Sequence, residues 1–316
     1  MPADYIDTTV FGLLLLFILL YGRYAGRKVH TLPPGPKRIP IFGNLYQLPL
    51  KQQAKEFQKW AENYGDIFYF DVFGQPALVV NSMQAAFDLM DKRGSKYSDR
   101  PRTVVLTELS GFDPSASLLP YGNQWRQHRK WFTTAFQTKS SLGSYKSLEE
   151  KHVRRMLAAL IDTPARFMFY LKRSTAATIL DIAYGYTVSL ADDEYVERMD
   201  SAIALSFGAG NAGSTLIDFF PVLRHIPSWM PGMGVKRKAL EASHSIRAMH
   251  DDPYNRVKNE IELGSARPSF LASHLKKAIA NGALTKELEY NLKGASALIY
   301  IVNVYHQLSD WAKTAR

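Results

Sequence analysis

The sequence predicts a mainly α-helical protein with a small β-sheet, an α+β class, and three observations carry that expectation. Between Lys51 and Tyr64, the residues Ala54, Phe57, Trp60, Ala61 and Tyr64 recur near helical spacing, and Gly65 supplies a stop. Asp66 to Val72 alternates in strand fashion, Phe73-Gly74-Gln75-Pro76 makes a turn, and Ala77 to Val80 is a second apolar strand, together a hairpin. Beyond Pro101 strand signals are few, and the chain reads as long helices with breaks near Gly111, Gly143, Pro164, Gly208 to Gly213, and Pro227 to Gly234. No internal repeat or low-complexity tract suggests a solenoid or an array.

The 316 residues contain no cysteine, which removes disulfides, thiolate metal sites, iron–sulfur clusters and cysteine nucleophiles from consideration. The formal charge of +10 calls for a partner of negative potential. Its basic residues are dispersed, with no helix-turn-helix, zinc-finger or RNA-binding signature, so nucleic acid is not the expected partner. A membrane surface fits better. Val10 to Tyr21 reads VFGLLLLFILLY, and its extension to Tyr5 and Tyr24 gives about twenty residues, the length of a helix that crosses a bilayer. Asp4 and Asp7 precede the run, whereas Arg23, Arg27 and Lys28 follow it. That polarity favours an uncleaved anchor with a cytoplasmic basic flank over a signal peptide or a buried core helix. Next, Pro33, Pro34 and Pro36 fix φ and disfavour helix, so His30 to Pro36 is expected to form a stiff, extended spacer.

The segment Tyr121 to Phe132 (YGNQWRQHRKWF) reads as a helix that Asn123 can cap. On it Trp125, Arg129, Phe132 and Phe136 share a face, which sets a guanidinium in an aromatic stripe and requires an anion to offset its desolvation. Arginine's planar fork suits a carboxylate. Spacing alone leaves two readings open: a core stripe in which Arg129 snorkels or pairs with a local carboxylate, or a binding site for an external anion. His128 lies off this face and reads as a solvated or polar-network residue. Glu149 to Arg155 (EEKHVRR) reads as a charged outer helix face. His244 and His250, six apart, fall on different faces and do not suggest a metal site.

Taken in order, the anchor, Pro33-Pro34-Gly35-Pro36, the helix ending Trp60 to Gly65, two strands, Ser98-Asp99-Arg100-Pro101 and Trp125…Arg129 resemble the cytochrome P-450 superfamily of haem-thiolate monooxygenases. Ile217-Asp218-Phe219-Phe220-Pro221 and Arg267-Pro268-Ser269-Phe270 look like its fungal microsomal branch. The resemblance implies a cytochrome P-450-like fold, incomplete at its C-terminal side, and haem as cofactor. It implies that Trp125 and Arg129 hydrogen-bond a haem propionate, with Arg100 as a further propionate ligand. It places Val104, Val105, Leu106, Phe112, Leu118 and Leu119 in the loop between helices B and C that lines the substrate cavity. There an apolar loop outside the core suits an apolar small-molecule substrate. Phe207, on the F helix, would line the same side. His225 to Met233 falls in the F–G region, where Trp229 and Met230 beside Lys236, Arg237 and Lys238 suit an anionic membrane interface.

By the same resemblance, residues 1–28 form the anchor and its basic flank, 29–50 the Pro-rich spacer, 51–300 the N-terminal part of the domain and 301–316 a divergent tail. Asn291 to Tyr300 resembles the opening of the I helix, but Ile301 to Arg316 (IVNVYHQLSDWAKTAR) does not continue it. The family's acid-alcohol pair, its Glu-x-x-Arg pair and its cysteine ligand are not found. A chain without cysteine cannot supply the thiolate that pushes electron density onto the iron. The expected function is therefore oxygen insertion into an apolar molecule by descent. Electrons would come from an NADPH-dependent reductase at the cytoplasmic face of the endoplasmic reticulum, with this stretch itself inactive. The competing expectation is a non-catalytic membrane-anchored scaffold.

Overall fold

The protein, analysed as a computed structural model, is described over residues 32–49, 52–189, 193–208 and 215–314. The expected anchor at 1–28 lies outside these residues. Among the described residues no helix is long and apolar enough to cross a membrane. The chain forms two compact units, one up to Ser98 and one from Asp99 onward.

In the first unit, helix α1 (Gln53–Tyr64) ends at Gly65, whose φ of 93° is open to glycine at little cost. Strands β1 (Ile67–Val72) and β2 (Gln75–Val80) pair antiparallel from Ile67 opposite Val80 to Val72 opposite Gln75. The two-residue turn uses positive φ at both Phe73 and Gly74, the mirror-image geometry that matches strand twist. Pairing thus starts at Gln75, two residues before the expected strand, because the tight turn needs only Phe73 and Gly74. Trp60 and Phe57 of α1 pack on the sheet, their ring centroids 5.7 Å from those of Phe68 and Phe70 respectively. The Pro-rich segment is extended but docked: the Tyr69 amide donates to the Pro34 carbonyl at 2.9 Å. Asn44 Nδ2 donates to the Pro36 carbonyl, while Asn44 Oδ1 accepts from the Asp71 amide. Short helices α2 (Met83–Ala86) and α3 (Gly94–Tyr97) follow.

The second unit is helical. Its elements are α4 (Asn123–Phe136), α5 (Lys139–Asp162), α6 (Phe167–Tyr184), α7 (Glu194–Gly208), the short α8 (Leu216–Phe219), α9 (Gly234–Glu262), α10 (Phe270–Ala280) and α11 (Lys286–Thr314). Helix α6 lies in the core: Ala177, Leu180, Ala183 and Tyr184 are buried with Met199 and Ile203 of α7, Ile246 and Met249 of α9, Leu271 and Leu275 of α10, and Leu292 and Tyr300 of α11. Most of its second half is buried, which suits a weakly amphipathic helix. Helix α11 runs without interruption through Tyr300, so the change of sequence there does not end the element.

Two further expectations are corrected. Gly143 does not break the chain but sits inside α5, where the penalty of about 1 kcal/mol for one helical glycine is absorbed by 24 residues of helix. The charged stretch 149–155 is not wholly an outer face, because His152 turns inward. Its Nε2 lies 3.1 Å from Asp181 Oδ2 on α6, and both side chains are 1% exposed. Arg267 Nη2 completes the cluster at 2.7 Å from Asp181 Oδ1, and Arg267 Nη1 donates to the Gly185 carbonyl. Burial pushes the Asp181 carboxyl up, but the His152 hydrogen bond and the charges of Arg267 and Lys151 outweigh it and hold it below the usual carboxylate range.

Glycine 294 is dictated by contact. A Cβ there would lie 1.9 Å from the carbonyl oxygen of Pro114, so α11 and the loop before α4 meet backbone to backbone. Gly294→Ala should lower stability by about 1–3 kcal/mol through overpacking. Gly143→Ala, with nothing within 4 Å of its Cβ, should raise it by up to about 1 kcal/mol; urea midpoints of the detergent-solubilised chain would separate the two. Asp181→Asn should lower stability by about 1–3 kcal/mol at neutral pH by removing the charged acceptor shared by buried His152 and the partly exposed Arg267 and Lys151. Because the folded pKa is depressed, that contribution is complete above the unfolded-state value. It is lost as pH falls through the lower folded one, so the variant should show a flatter acid limb in midpoint against pH.

Candidate functional site

Helix α4 begins after Gly122, whose extended backbone makes it the cap. Asn123 is the first helical residue instead of the expected cap, and its side-chain oxygen accepts from Arg126 Nη2 at 2.7 Å. One turn on, the Arg129 guanidinium carbon lies 5.7 Å from the centroid of the Trp125 ring, a cation–π spacing. Trp125 is half-buried and Arg129 exposed. The stripe predicted from spacing therefore divides. Its C-terminal part is closed, with Phe132 and Phe136 stacked on Phe270 at 6.1 and 6.4 Å. Its N-terminal part is open, so Arg129 carries no desolvation penalty of the kind its spacing suggested. Among the described residues no carboxylate lies within ion-pair distance of Arg129.

Arg100 is exposed as well, and its segment is tied to the start of α4 by one carboxylate oxygen. Asp99 Oδ1 accepts from the Arg100 amide at 2.8 Å and from the Tyr121 amide at 2.9 Å. Those two N–H groups hold the Asp99 carboxyl below its ordinary value. The Tyr121 ring in turn lies 5.2 Å from Trp125. Asp99 was not singled out by sequence reasoning, although an Asp two residues before a proline is a signal for side-chain-to-backbone turns.

His128 is not solvated. It is fully buried, stacked on Trp131 at 5.4 Å, and its Nε2 lies 3.2 Å from Asn291 Oδ1, fastening α4 to α11. Burial depresses its pKa, only partly offset by the Asn291 hydrogen bond, so the ring is held toward the neutral form. Asn291 was quoted as part of the I-helix resemblance, but the pairing joins residues 163 positions apart and has no local signature.

The loop between Arg100 and Tyr121 is not an apolar segment standing outside the core. Val104 and Val105 lie in a wide helical turn (Val104–Leu109) and are buried with Ile217 and Ala239. Phe112 belongs to the main core, Leu119 is buried, and Leu106 and Leu118 are half-buried. The physical reason is that the loop has partners. The Val105 amide donates to Asp218 Oδ1 at 3.1 Å, and Asp218 forms a reciprocal cap with Thr215 at the start of α8. Glu108 pairs with both Arg102 and Arg224. The side chain of Phe207, the remaining residue expected on the substrate side, lies outside the described residues.

Between α8 and α9, Trp229 is 76% exposed and Met230 38%. Of the neighbouring cations, Lys236 is committed to the loop itself, its Nζ donating to the Arg224 and Ile226 carbonyls at 2.5 and 2.7 Å. No group of three or more His, Asp or Glu side chains that could hold a metal ion occurs among the described residues.

A haem propionate is a carboxylate, and the fit can be judged from the residues themselves. Trp125 offers an indole N–H, Arg129 a planar fork on the same face with no carboxylate partner among the described residues, and Asp99 brings the Arg100 segment to the start of that helix. The donor set fits. The sequence model of the cytochrome P-450 family matches residues 33–292. The chain is 37% identical over 278 residues to cytochrome P-450 monooxygenase 136 of Postia placenta, covering 88% of this chain and 53% of that protein. It is 38% identical over 290 residues to cytochrome P-450 monooxygenase 176 of the same fungus, covering 92% and 56%. It is 31% identical over 303 residues to cytochrome P-450 monooxygenase COX2 of Coprinopsis cinerea, covering 96% and 57%. The chain thus spans about half the length of these relatives. With more than half of its residues matched by that family and its mainly helical fold in agreement, the chain belongs to the cytochrome P-450 family.

Proposed function

We propose that these residues form the propionate-binding and substrate-facing part of a haem-dependent monooxygenase that inserts oxygen into an apolar small molecule. The observation that carries this reading is the open Trp125–Arg129 pair, a half-buried indole beside a guanidinium with no carboxylate partner among the described residues. Arg129 and Trp125 would hold a propionate, Arg100 would approach the same group, and Asp99 would position Arg100 by fixing its backbone. Haem bearing a thiolate ligand supplies iron-centred oxygen activation. Since the 316 residues contain no cysteine, that ligand is not among them. On the substrate side, the half-buried Leu106 and Leu118, in a loop held in place through Asp218 and Glu108, and Phe207 would present apolar surface.

Electrons would come from an NADPH-dependent reductase, and the basic balance of the chain suits an acidic partner. Val10 to Tyr21 would anchor the protein in the endoplasmic reticulum membrane. Trp229 and Met230, with Arg237 and Lys238 beside them, would rest on the same cytoplasmic surface. The second reading is a non-catalytic membrane-anchored scaffold.

Haem titration of the detergent-solubilised chain, followed at the Soret band, tests the propionate site. Arg129→Gln should weaken haem binding about tenfold or more, the size expected for a lost charge-assisted hydrogen bond. Trp125→Phe should act in the same direction, and an effect no larger than that of Arg126→Gln would remove the assignment. A reduced carbon monoxide difference spectrum separates the two readings. The thiolate-type band is expected only when the chain is joined to a segment carrying the family's cysteine, and no band from either form would leave the scaffold reading ahead.

A further inference from the structure

A cavity of about 500 Å³ opens between helices α4, α10 and α11, and it takes in neither Trp125 nor Arg129. Its volume falls in the range of small-molecule sites. Leu292 is fully buried, and the half-buried Leu288 and Trp131 complete an apolar wall. The indole is held in place, since His128 stacks on it at 5.4 Å and the His274 ring meets it edge-on at 5.3 Å. A fixed indole gives an aromatic ring a flat surface to pack against.

His274 of α10 lines the cavity and is half-buried. Its Nδ1 lies 2.9 Å from the Phe270 carbonyl, which can only accept, so Nδ1 carries the hydrogen and Nε2 presents a lone pair. That Nε2 has no hydrogen-bond partner among the described residues, and it is not one of the polar atoms sealed inside the protein. Burial lowers the pKa of the ring, the Phe270 hydrogen bond offsets this only in part, and the Lys277 charge lowers it further. The lone pair is thus kept available to a donor that reaches it.

Lys130 of α4 and Lys277 of α10 line the same cavity, and the rest of its lining carries no carboxylate. Neither lysine has a carboxylate partner among the described residues. Lys277 stands one helical turn from His274 on the same face of α10, so a cation and the lone pair lie about one aromatic ring apart. Two cations, one open acceptor and a flat apolar wall remain, with no acidic group in the lining to oppose an anion. The complement is a planar aromatic carboxylate that also carries a hydroxyl.

We propose that this cavity binds a hydroxybenzoate-type phenolic acid, its ring against Trp131, Leu288 and Leu292, its carboxylate held by Lys130 and Lys277, and its hydroxyl donating to His274 Nε2. The reading does not depend on haem binding or on catalysis, and a ligand here would bridge α4, α10 and α11.

Calorimetric titration of the full detergent-solubilised chain, against a blank of the same micelles without protein, tests it with 4-hydroxybenzoate and three analogues. 4-Hydroxybenzoate should bind saturably. 4-Methoxybenzoate loses the donor, 4-hydroxybenzamide the charge and 4-hydroxycyclohexanecarboxylate the flat ring, and each should bind about tenfold more weakly. Lys130→Gln and Lys277→Gln should weaken 4-hydroxybenzoate to a similar degree, whereas Lys276→Gln, the same change one residue away and outside the cavity, should not. His274→Phe should erase the preference for 4-hydroxybenzoate over 4-methoxybenzoate. Should that variant fail to fold, the lysine variants and the ligand series still decide. No saturable binding above the micelle blank, equal binding of 4-hydroxybenzoate and 4-methoxybenzoate, or a loss with Lys276→Gln as large as with Lys130→Gln and Lys277→Gln would overturn the proposal.

Discussion

Where helix α11 passes the loop before α4, there is no room for even a methyl group between Gly294 and the carbonyl of Pro114. Much of the second unit is arranged around that closeness. It sets the loop from Gly111 to Leu119 against the core, so that Phe112 joins the buried cluster and its ring meets His250 edge-on at 6.1 Å. A few residues earlier on the same helix, Asn291 receives His128 and fixes α4 against α11. The face carrying Trp125 and Arg129 is therefore oriented by a helix on which neither residue lies.

Carboxylates do further fastening, by three routes. Asp181 is a buried carboxylate shared by three basic side chains, of which only His152 is buried with it, while Arg267 and Lys151 reach it from partly exposed positions. Asp99 and Asp218 instead accept backbone N–H groups, which ties segments together without a counter-charge. Glu108 joins two arginines on separate segments in a partly exposed position, where pairing fixes geometry more than it stabilises. Together Asp218 and Glu108 make the loop at 104–109 and the segment at 215–225 one body.

Other surfaces remain open. On α5, Val153, Leu157 and Ile161 recur at a spacing of four and are exposed, as are Phe167, Met168 and Leu171 of α6. Such a stripe is the inward face of a helix pair in most soluble folds. It agrees with a chain that spans about half the length of its relatives.

Periodicity and turn chemistry determined what depends on neighbours in sequence: the helix 53–64 and its Gly65 stop, the hairpin, the long helices after Pro101, and the ordered motifs that carry the family resemblance. The face shared by Trp125 and Arg129 belongs to this class, since helical geometry alone sets residues four apart side by side. Tertiary structure decided whether that face would be covered, and it closed the stripe at Phe132 and Phe136 while leaving Arg129 in solvent. It also turned His128 and His152 inward, drew Val104, Val105 and Phe112 into the core, and left His250 Nε2 without a partner. These outcomes rest on contacts between residues a hundred or more positions apart, such as Val105 with Asp218 and His128 with Asn291, or on which helix packs opposite. A local pattern records which residues share a face, whereas burial and hydrogen-bond partnership depend on what the fold brings to it.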